Sequence, residues 1–145
     1  MDKSEVDKLL MQLDGSGSNN EWKAIERLRS INNFPDLLLE RYKHSKKWNE
    51  RASCVYHSTR YAKERASSLQ LGILALKDKS KIVRYRATML LAVSQKVEAI
   101  KPLEELLASE LSTSDAAAAI KAILEQNQNL FVDRENSGKM FLKIH

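Results

Sequence analysis

The sequence is poor in the residues that interrupt a chain or cross-link it. Its 145 residues include four glycines, two prolines and one cysteine, Cys54. Because strands and tight turns rely on glycine and proline, their scarcity favours helices. A lone thiol excludes an intramolecular disulfide and gives no sign of an oxidising compartment. We therefore expect one all-α domain spanning residues 1–145.

Long apolar segments are also missing. No run of apolar residues approaches the roughly 18 that a membrane-spanning helix needs. The first residues, MDKSEVDKLLMQLDG, are acidic and lack the apolar centre of a signal peptide. These absences lead us to expect a cytoplasmic protein without a membrane partner.

The sequence contains no cofactor or metal motif. Neither GxGxxG nor GxxxxGK[ST] is present, and no HExxH or CxxC spacing occurs. The three histidines, His44, His57 and His145, are scattered along the chain. We expect no cofactor and no metal site.

Positive charge is concentrated in the middle of the chain. Residues 41–86 carry 13 Lys and Arg against 3 Asp and Glu, a net charge of +10. Residues 1–40 and 87–145 have net charges of −3 and −2. With so few acids nearby, the cations of the middle segment cannot all be paired within it. The excess therefore favours a binding surface for an anionic partner.

Apolar residues recur at helical spacing in blocks from residue 46 onward. One stripe consists of Val83, Ala87, Leu90 and Leu91. Three blocks, beginning KKWNERASCVY, SKIVRYRATMLL and STSDAAAAIKAI, align with spacings of 35 and 32 residues. A period in this range is typical of a solenoid of helix pairs, in which no unit buries its apolar face alone.

The block LKDKSKIVRYRATMLLAVSQKVEAIKPLEELLAS resembles the HEAT repeat, especially its short bacterial form. The resemblance rests on a turn with Asp78, on Val-Arg-x-x-Ala at 83–87, on Leu-Leu at 90–91 and on Ala-Ile-x-Pro-Leu at 99–103. It covers this one unit closely, residues 46–77 loosely, and the rest weakly. It implies a right-handed solenoid of stacked antiparallel helix pairs, whose concave face the family uses mostly to bind other macromolecules. It supplies no catalytic residues.

The end of the chain, 128–145, departs from this pattern. Two short alternating apolar runs, at 130–132 and 140–144, flank the segment Arg-Glu-Asn-Ser-Gly. Alternation on both sides of a glycine-bearing loop is typical of a hairpin. We therefore predict a small C-terminal β-hairpin that packs on the last helix.

The basic segment predicts a cationic helix face. On a helix through 47–61, the inward side holds Trp48, Ala52, Val55 and Thr59. The outward side holds Lys47, Arg51, Cys54, His57, Ser58 and Tyr61. Successive repeats should place cations of the next helix in an adjoining row. The predicted partner-binding residues are Lys47, Arg51, His57, Arg60, Tyr61, Arg84 and Arg86.

Two kinds of partner fit such a face. An acidic protein surface is the first hypothesis, because Arg and Tyr dominate interface energetics and opposite charge speeds encounter. By analogy of size and fold, an immunity protein or inhibitor that blocks a toxin domain would work in this way. Nucleic acid, bound through its phosphates by the same residues, is the alternative.

An enzyme is the third and weakest hypothesis. Cys54 and His57 are three residues apart on one helix, and a Cys–His pair can activate a thiolate for attack. The sequence offers no third residue to orient the pair and no oxyanion site. We therefore expect a binding protein and not an enzyme.

Overall fold

The computed structural model describes residues 1–134 of the chain. Within this range the secondary structure consists of helices and turns, with no β-strand. The α-helices are α1 Lys3–Met11, α2 Asn19–Leu28, α3 Phe34–His44, α4 Trp48–Ser58, α5 Ala66–Ala75, α6 Lys81–Ser94, α7 Ile100–Ala108 and α8 Thr113–Leu124. Short 3₁₀ turns lie at Thr59–Tyr61 and Val97–Ala99. The predicted all-α class is confirmed for the described part of the chain.

Local sequence explains where several helices begin. The Ser18 and Ser80 side chains accept hydrogen bonds from the backbone N–H groups of Glu21 and Val83, which caps α2 and α6. Pro35 lies in the first turn of α3, where its missing N–H leaves no hydrogen bond unmade. The Asp-Lys-Ser segment at 78–80 separates α5 from α6, as its polar character predicts.

Helix α6 lies at the centre of the helical array. It packs against α4, α5 and α8, while α3 packs against α4 and α7 against α8. Its predicted stripe is completely buried, which confirms it: Val83, Ala87, Leu90 and Leu91. Gly72 lets α5 approach α6 closely, because a Cβ atom there would lie 2.6 Å from Leu90 Cδ2.

The predicted C-terminal hairpin is wrong at its first strand. Residues 129–134 are helical, and the Asn127 side chain accepts a hydrogen bond from the Asn129 backbone N–H at the start of this segment. Phe131 is buried against Tyr85, with ring centroids 6.1 Å apart. Alternation over three residues is too short to distinguish a strand from one turn of helix. The second predicted strand, 140–144, lies outside the described residues.

None of the helices described within residues 1–134 has the length and apolar character needed to cross a membrane.

Candidate binding site

The orientation predicted for α4 is right for Ala52 and Val55, which are buried, but wrong for Trp48 and for most of the residues expected on the outer side. Arg51, Cys54 and His57 were expected to face outward, but all are buried, and so is Ser58. Trp48 was expected to face inward, yet it is 50% exposed at the first turn of the helix. The reason is that α4 packs against α3, α5 and α6 together, so little of its circumference remains for solvent.

Arg51 is held inside the protein by a carboxylate. Its Nε and Nη2 atoms donate to Oδ2 and Oδ1 of Asp78 at 2.8 and 3.1 Å, a bidentate pair. Its Nη1 donates to the Lys46 carbonyl at 2.9 Å, and the Tyr42 hydroxyl donates to Asp78 Oδ2 at 2.6 Å. Burial would raise the pKa of Asp78, but the hydrogen bonds from Arg51 and Tyr42 outweigh it and lower that pKa. Asp78 is therefore ionised, and it links the α5–α6 connection to α3 through Tyr42 and to α4 through Arg51.

Arg84 also belongs to the interior and not to an outer face. Its Nη1 donates to the Asp78 backbone carbonyl at 2.9 Å, and its Nε donates to Ser112 Oγ at 3.0 Å. Only 8% of its surface is exposed. Arg51 and Arg84 thus tie the α5–α6 connection to the neighbouring helices, and the single cationic face predicted from the sequence does not contain them.

A second buried carboxylate, Glu21, organises the loop before α2. Its Oε1 accepts from the Gly17 N–H at 2.8 Å, and its Oε2 accepts from the Gly15 N–H at 3.2 Å. The Ser53 hydroxyl donates to Oε2 at 2.6 Å, and His57 Nε2 lies 3.3 Å from the same oxygen. Because four donors surround this carboxylate, Glu21 is ionised and holds both the loop and α4 in place.

The pKa shifts in this cluster have opposing causes. Burial would raise the pKa of Glu21, but hydrogen bonds from Ser53, Gly17 and Gly15 outweigh it, so this pKa is lowered. Burial lowers the pKa of His57 by more than the neighbouring Glu21 carboxylate raises it. His57 is therefore neutral near pH 7, and it donates from Nε2 to the ionised Glu21.

The glycines of this loop have conformations that other residues rarely adopt. Gly15 and Gly17 have φ angles of +79° and +71°. A Cβ atom on Gly15 would lie 2.4 Å from the Asn49 backbone oxygen, whereas a Cβ atom on Gly17 would meet nothing within 4 Å. The loop therefore needs glycine at 15 for both backbone conformation and close approach to α4.

Aromatic side chains stand above the Glu21 cluster and enclose a cavity. The rings of Trp22 and Tyr56 pack edge to face, with their centroids 6.3 Å apart. The His57 ring centroid lies 5.3 Å from that of Trp22 and 5.1 Å from that of Tyr56. Trp22 and Tyr56 are each 40% exposed. The Arg86 guanidinium carbon lies 4.5 Å from the Tyr56 ring centroid, a cation–π contact. The cavity of about 340 Å³ is lined by Gly15, Ser16, Gly17, Glu21, Trp22, Ala52, Ser53, Tyr56, His57 and Arg86.

A smaller cavity continues this surface on the other side of the aromatic cluster. It has a volume of about 190 Å³, and Trp22, Tyr56 and His57 line both cavities. Arg29, Arg60 and Tyr61 join them at the smaller one. We call the combined set the arginine–aromatic surface: Trp22, Arg29, Tyr56, Arg60, Tyr61 and Arg86. None of its arginines forms an ion pair with a carboxylate among residues 1–134.

The predicted partner-binding residues therefore divide between three places. Arg60, Tyr61 and Arg86 belong to the arginine–aromatic surface, with His57 beneath it. Arg51 and Arg84 belong to the interior around Asp78. Lys47 is exposed at the start of α4 and lines none of the cavities described here.

Sequence reasoning missed Glu21 and Trp22 as site residues. One signal was readable for Glu21, because Ser18 and Glu21 have the S-x-x-E spacing of a capping box. In the structure the Glu21 N–H donates to Ser18 Oγ as in a capping box, but the Glu21 carboxylate accepts from the N–H groups of Gly15 and Gly17 and not from that of Ser18. No comparable local pattern marks Trp22, since its partners Tyr56 and His57 lie more than thirty residues away in the sequence.

The Cys54–His57 pair is not arranged as a nucleophile and its base. The Cys54 thiol is fully buried, and burial raises its pKa to about 12, so the reactive thiolate is scarce at neutral pH. The His57 Nε2 atom is directed to Glu21 and not to sulfur.

Comparison of the chain with models of protein families and with curated proteins gives no match. The class that its structure defines is an all-helical protein, in the part described, with a concave surface of arginine and aromatic side chains.

Proposed function

We propose that this protein is a non-catalytic binding module that binds an acidic protein partner through the arginine–aromatic surface. The observation that carries the proposal is the gathering of Arg29, Arg60 and Arg86 beside exposed aromatic rings. Within the described chain these guanidinium groups have no carboxylate partner, so their charge is available to another molecule. Trp, Tyr and Arg are also the residues that contribute most to the binding energy of protein interfaces.

The proposal includes the fold expected from the HEAT resemblance, a right-handed solenoid of stacked antiparallel helix pairs. The contacts between helices support it. Each pair, α3 with α4, α5 with α6 and α7 with α8, packs together. The second members also pack on one another in the order α4, α6, α8, as the layers of a stack do.

A protein partner fits this surface better than nucleic acid does. Single-stranded nucleic acid binds to aromatic rings whose faces are open for stacking by successive bases. Here Arg86 covers one face of Tyr56, and the planes of Trp22 and Tyr56 are 81° apart. The two rings therefore offer no parallel pair of open faces for successive bases, and the cavity beside them suits an inserted side chain from an acidic protein segment.

The proposed partner class is a toxin domain, which this protein would block as an immunity protein does by covering an acidic part of its surface. The proposed location is the cytoplasm, in keeping with a single cysteine that is a free, buried thiol. A binding role in place of a catalytic one is supported by the protonated state of Cys54 and by the hydrogen bond that engages His57.

The test is capture of partners from nuclease-treated native lysate by the wild-type protein and by Arg60→Glu/Arg86→Glu. Reversal of two charges should weaken retention of an acidic protein at least about tenfold. The matched control is Lys101→Glu/Lys121→Glu, which makes the same charge change at exposed positions on α7 and α8. This control should retain the partner.

Binding of the captured partner should also change the fluorescence of Trp22. In a Trp48→Phe background Trp22 is the remaining tryptophan, and its emission should change on binding. Two results would overturn the proposal. One is equal retention of the acidic protein by the wild-type protein and by Arg60→Glu/Arg86→Glu. The other is that Arg60→Glu/Arg86→Glu loses, relative to its matched control, only material that untreated lysate supplies and nuclease removes, which would identify nucleic acid as the ligand of this surface.

A further inference from the structure

A second concave surface is lined by lysine and contains no exposed aromatic ring. One side of this surface, which we call its first bank, carries Lys43 near the end of α3 and Lys46 just after that helix. The opposite bank carries Lys77 and Lys79, both in the α5–α6 connection. All four side chains are exposed, and the space between them is wide and open, with a volume of about 710 Å³. We call this surface the lysine groove.

The charge of the lysine groove is not neutralised by the part of the protein that the structure describes. None of the four lysines forms an ion pair within residues 1–134. The one carboxylate that lines the groove is Asp78, and it is engaged by Arg51, Tyr42 and the Ser80 N–H. Because the Arg51–Asp78 pair at the floor is neutral as a unit, an excess of four positive charges faces solvent.

The two banks of the groove are fixed relative to each other. Arg51 donates to the carbonyls of Ser45 and Lys46 on one bank and to the Asp78 carboxylate on the other. Its side chain is buried, so solvent does not compete for these bonds. The lysines are therefore held around a preformed concavity, and a ligand need not order the two connections when it binds. Arg51 is a positioning residue in this arrangement.

We propose that the lysine groove binds the phosphate backbone of double-stranded nucleic acid, without selecting a base sequence. Lysine acts as a hydrated point charge that attracts phosphate and releases the counterions condensed on a duplex. A single strand would need exposed rings for its bases. The aromatic residue of the groove, Tyr42, is instead buried and hydrogen-bonded to Asp78.

Other anionic partners fit the groove less well. A protein interface would be expected to include exposed aromatic residues or arginine at its centre. A membrane-binding surface would present several apolar side chains for insertion, and Leu74 is the one large apolar residue among those lining the groove.

This proposal is independent of the function proposed above. The cavity beside Trp22 and the lysine groove have no lining residue in common. Variants of the lysines therefore test the groove without altering the arginine–aromatic surface, and failure of one proposal leaves the other standing.

The experiment measures binding to a short mixed-sequence DNA duplex by fluorescence anisotropy at several salt concentrations. Four phosphate contacts predict a slope of log K against log[salt] of about −3.6, which is about a 150-fold loss of affinity for a fourfold rise in salt. Lys77→Gln/Lys79→Gln removes two contacts and should reduce the slope to about −1.8. Lys43→Gln/Lys46→Gln tests the opposite bank and should give the same reduction.

The matched control is Lys101→Gln/Lys121→Gln, which removes the same charge elsewhere and should keep the wild-type slope. A poly-glutamate chain, a single-stranded oligonucleotide and vesicles containing phosphatidylserine serve as competitors, compared at equal total charge. The proposal is overturned if the duplex does not bind, if the control and the groove variants lower the slope equally, or if any competitor binds more tightly than the duplex. Circular dichroism of each variant confirms that it is folded.

Discussion

Replacing Asp78 by asparagine should destabilise the protein more than the loss of one ordinary hydrogen bond would. The substitution keeps the shape of the side chain and removes its charge. It leaves the Arg51 guanidinium, with only 8% of the residue exposed, without its counter-ion. It also weakens the acceptor of the Tyr42 hydroxyl. A buried cation without a partner is the costly state, because water that would solvate it is excluded.

The expected loss of unfolding free energy is about 3–5 kcal/mol, the range for removing one partner of a buried ion pair. For a domain of this size, such a loss corresponds to a fall in Tm of about 10–15 °C. Urea denaturation followed by circular dichroism measures the change directly. The slope of free energy against urea should stay constant if the native fold is retained.

A double-mutant cycle separates the ion pair from other effects of the substitution. Arg51→Met alone should also destabilise, since it leaves Asp78 buried and unmatched. The double variant Arg51→Met/Asp78→Asn should lose less than the sum of the singles by about 1–3 kcal/mol. The exposed Arg27–Glu5 pair, with 3.6 Å between nitrogen and oxygen, provides the control, and Glu5→Gln should cost less than about 0.5 kcal/mol. Additive losses, or a cost for Asp78→Asn no larger than that of the control, would refute the reasoning.

Two further predictions concern the loop before α2 and the histidine beneath the aromatic cluster. Gly17→Ala should lower the free energy of unfolding by about 1–2 kcal/mol, because alanine is strained at a positive φ. Gly15→Ala should lower it by roughly 1–3 kcal/mol more, because its Cβ atom would also meet the Asn49 backbone. Equal losses of unfolding free energy in urea denaturation would contradict this. The folded pKa of His57 lies below its ordinary value of 6.5, so the unfolded chain binds the proton first and stability falls as pH drops below 6.5 through the folded pKa. His57→Gln should flatten that fall at pH values above 4.5, the ordinary pKa of Glu21, and an unchanged profile would show that another group is responsible.

The helical class and part of the core were predictable because they depend on local composition and periodicity. Scarce glycine and proline, a polar break at 78–80 and the stripe from Val83 to Leu91 each describe a property of neighbouring residues. Pro35 is another example, since its fixed φ and missing N–H suit the first turn of α3 wherever the rest of the chain lies. Such features survive folding because tertiary contacts reinforce them.

The orientation of α4 was not predictable from the same kind of pattern. A helical wheel assigns apolar residues to the inside, and it therefore placed Arg51 and His57 outside. Both are buried because carboxylates distant in the sequence reach them: Asp78 is 27 residues from Arg51, and Glu21 is 36 residues from His57. Only the tertiary fold brings these partners together.

The charge count of residues 41–86 predicted an excess of positive charge, but it could not show which lysines and arginines remain exposed and which are buried. Arginine and lysine divide here according to their chemistry. Arg51 and Arg84 enter the interior, where each planar guanidinium donates in several directions: Arg51 to a carboxylate and backbone carbonyls, and Arg84 to a hydroxyl and a backbone carbonyl. A lysine ammonium, compact and strongly hydrated, gains less from burial. Every lysine of the segment stays exposed: Lys43, Lys46, Lys47, Lys63, Lys77, Lys79 and Lys81.

The contrast between buried arginines and exposed lysines decides which positive charges of the segment remain available to a ligand. Arg51 and Arg84 lie near the starts of α4 and α6, where the carboxylate and the backbone carbonyl of Asp78 are within reach, so their charge is used within the fold. A lysine in a connection between helices has few such partners and keeps its charge for solvent or a ligand. Within the basic segment, the charge of the lysine groove accordingly comes from residues at helix ends and in connections. In this segment the lysines of the connections stay exposed, whereas an arginine on a helix is either engaged inside, as Arg51 and Arg84 are, or left without a carboxylate partner in the described chain, as Arg86 is, and only the fold decides which.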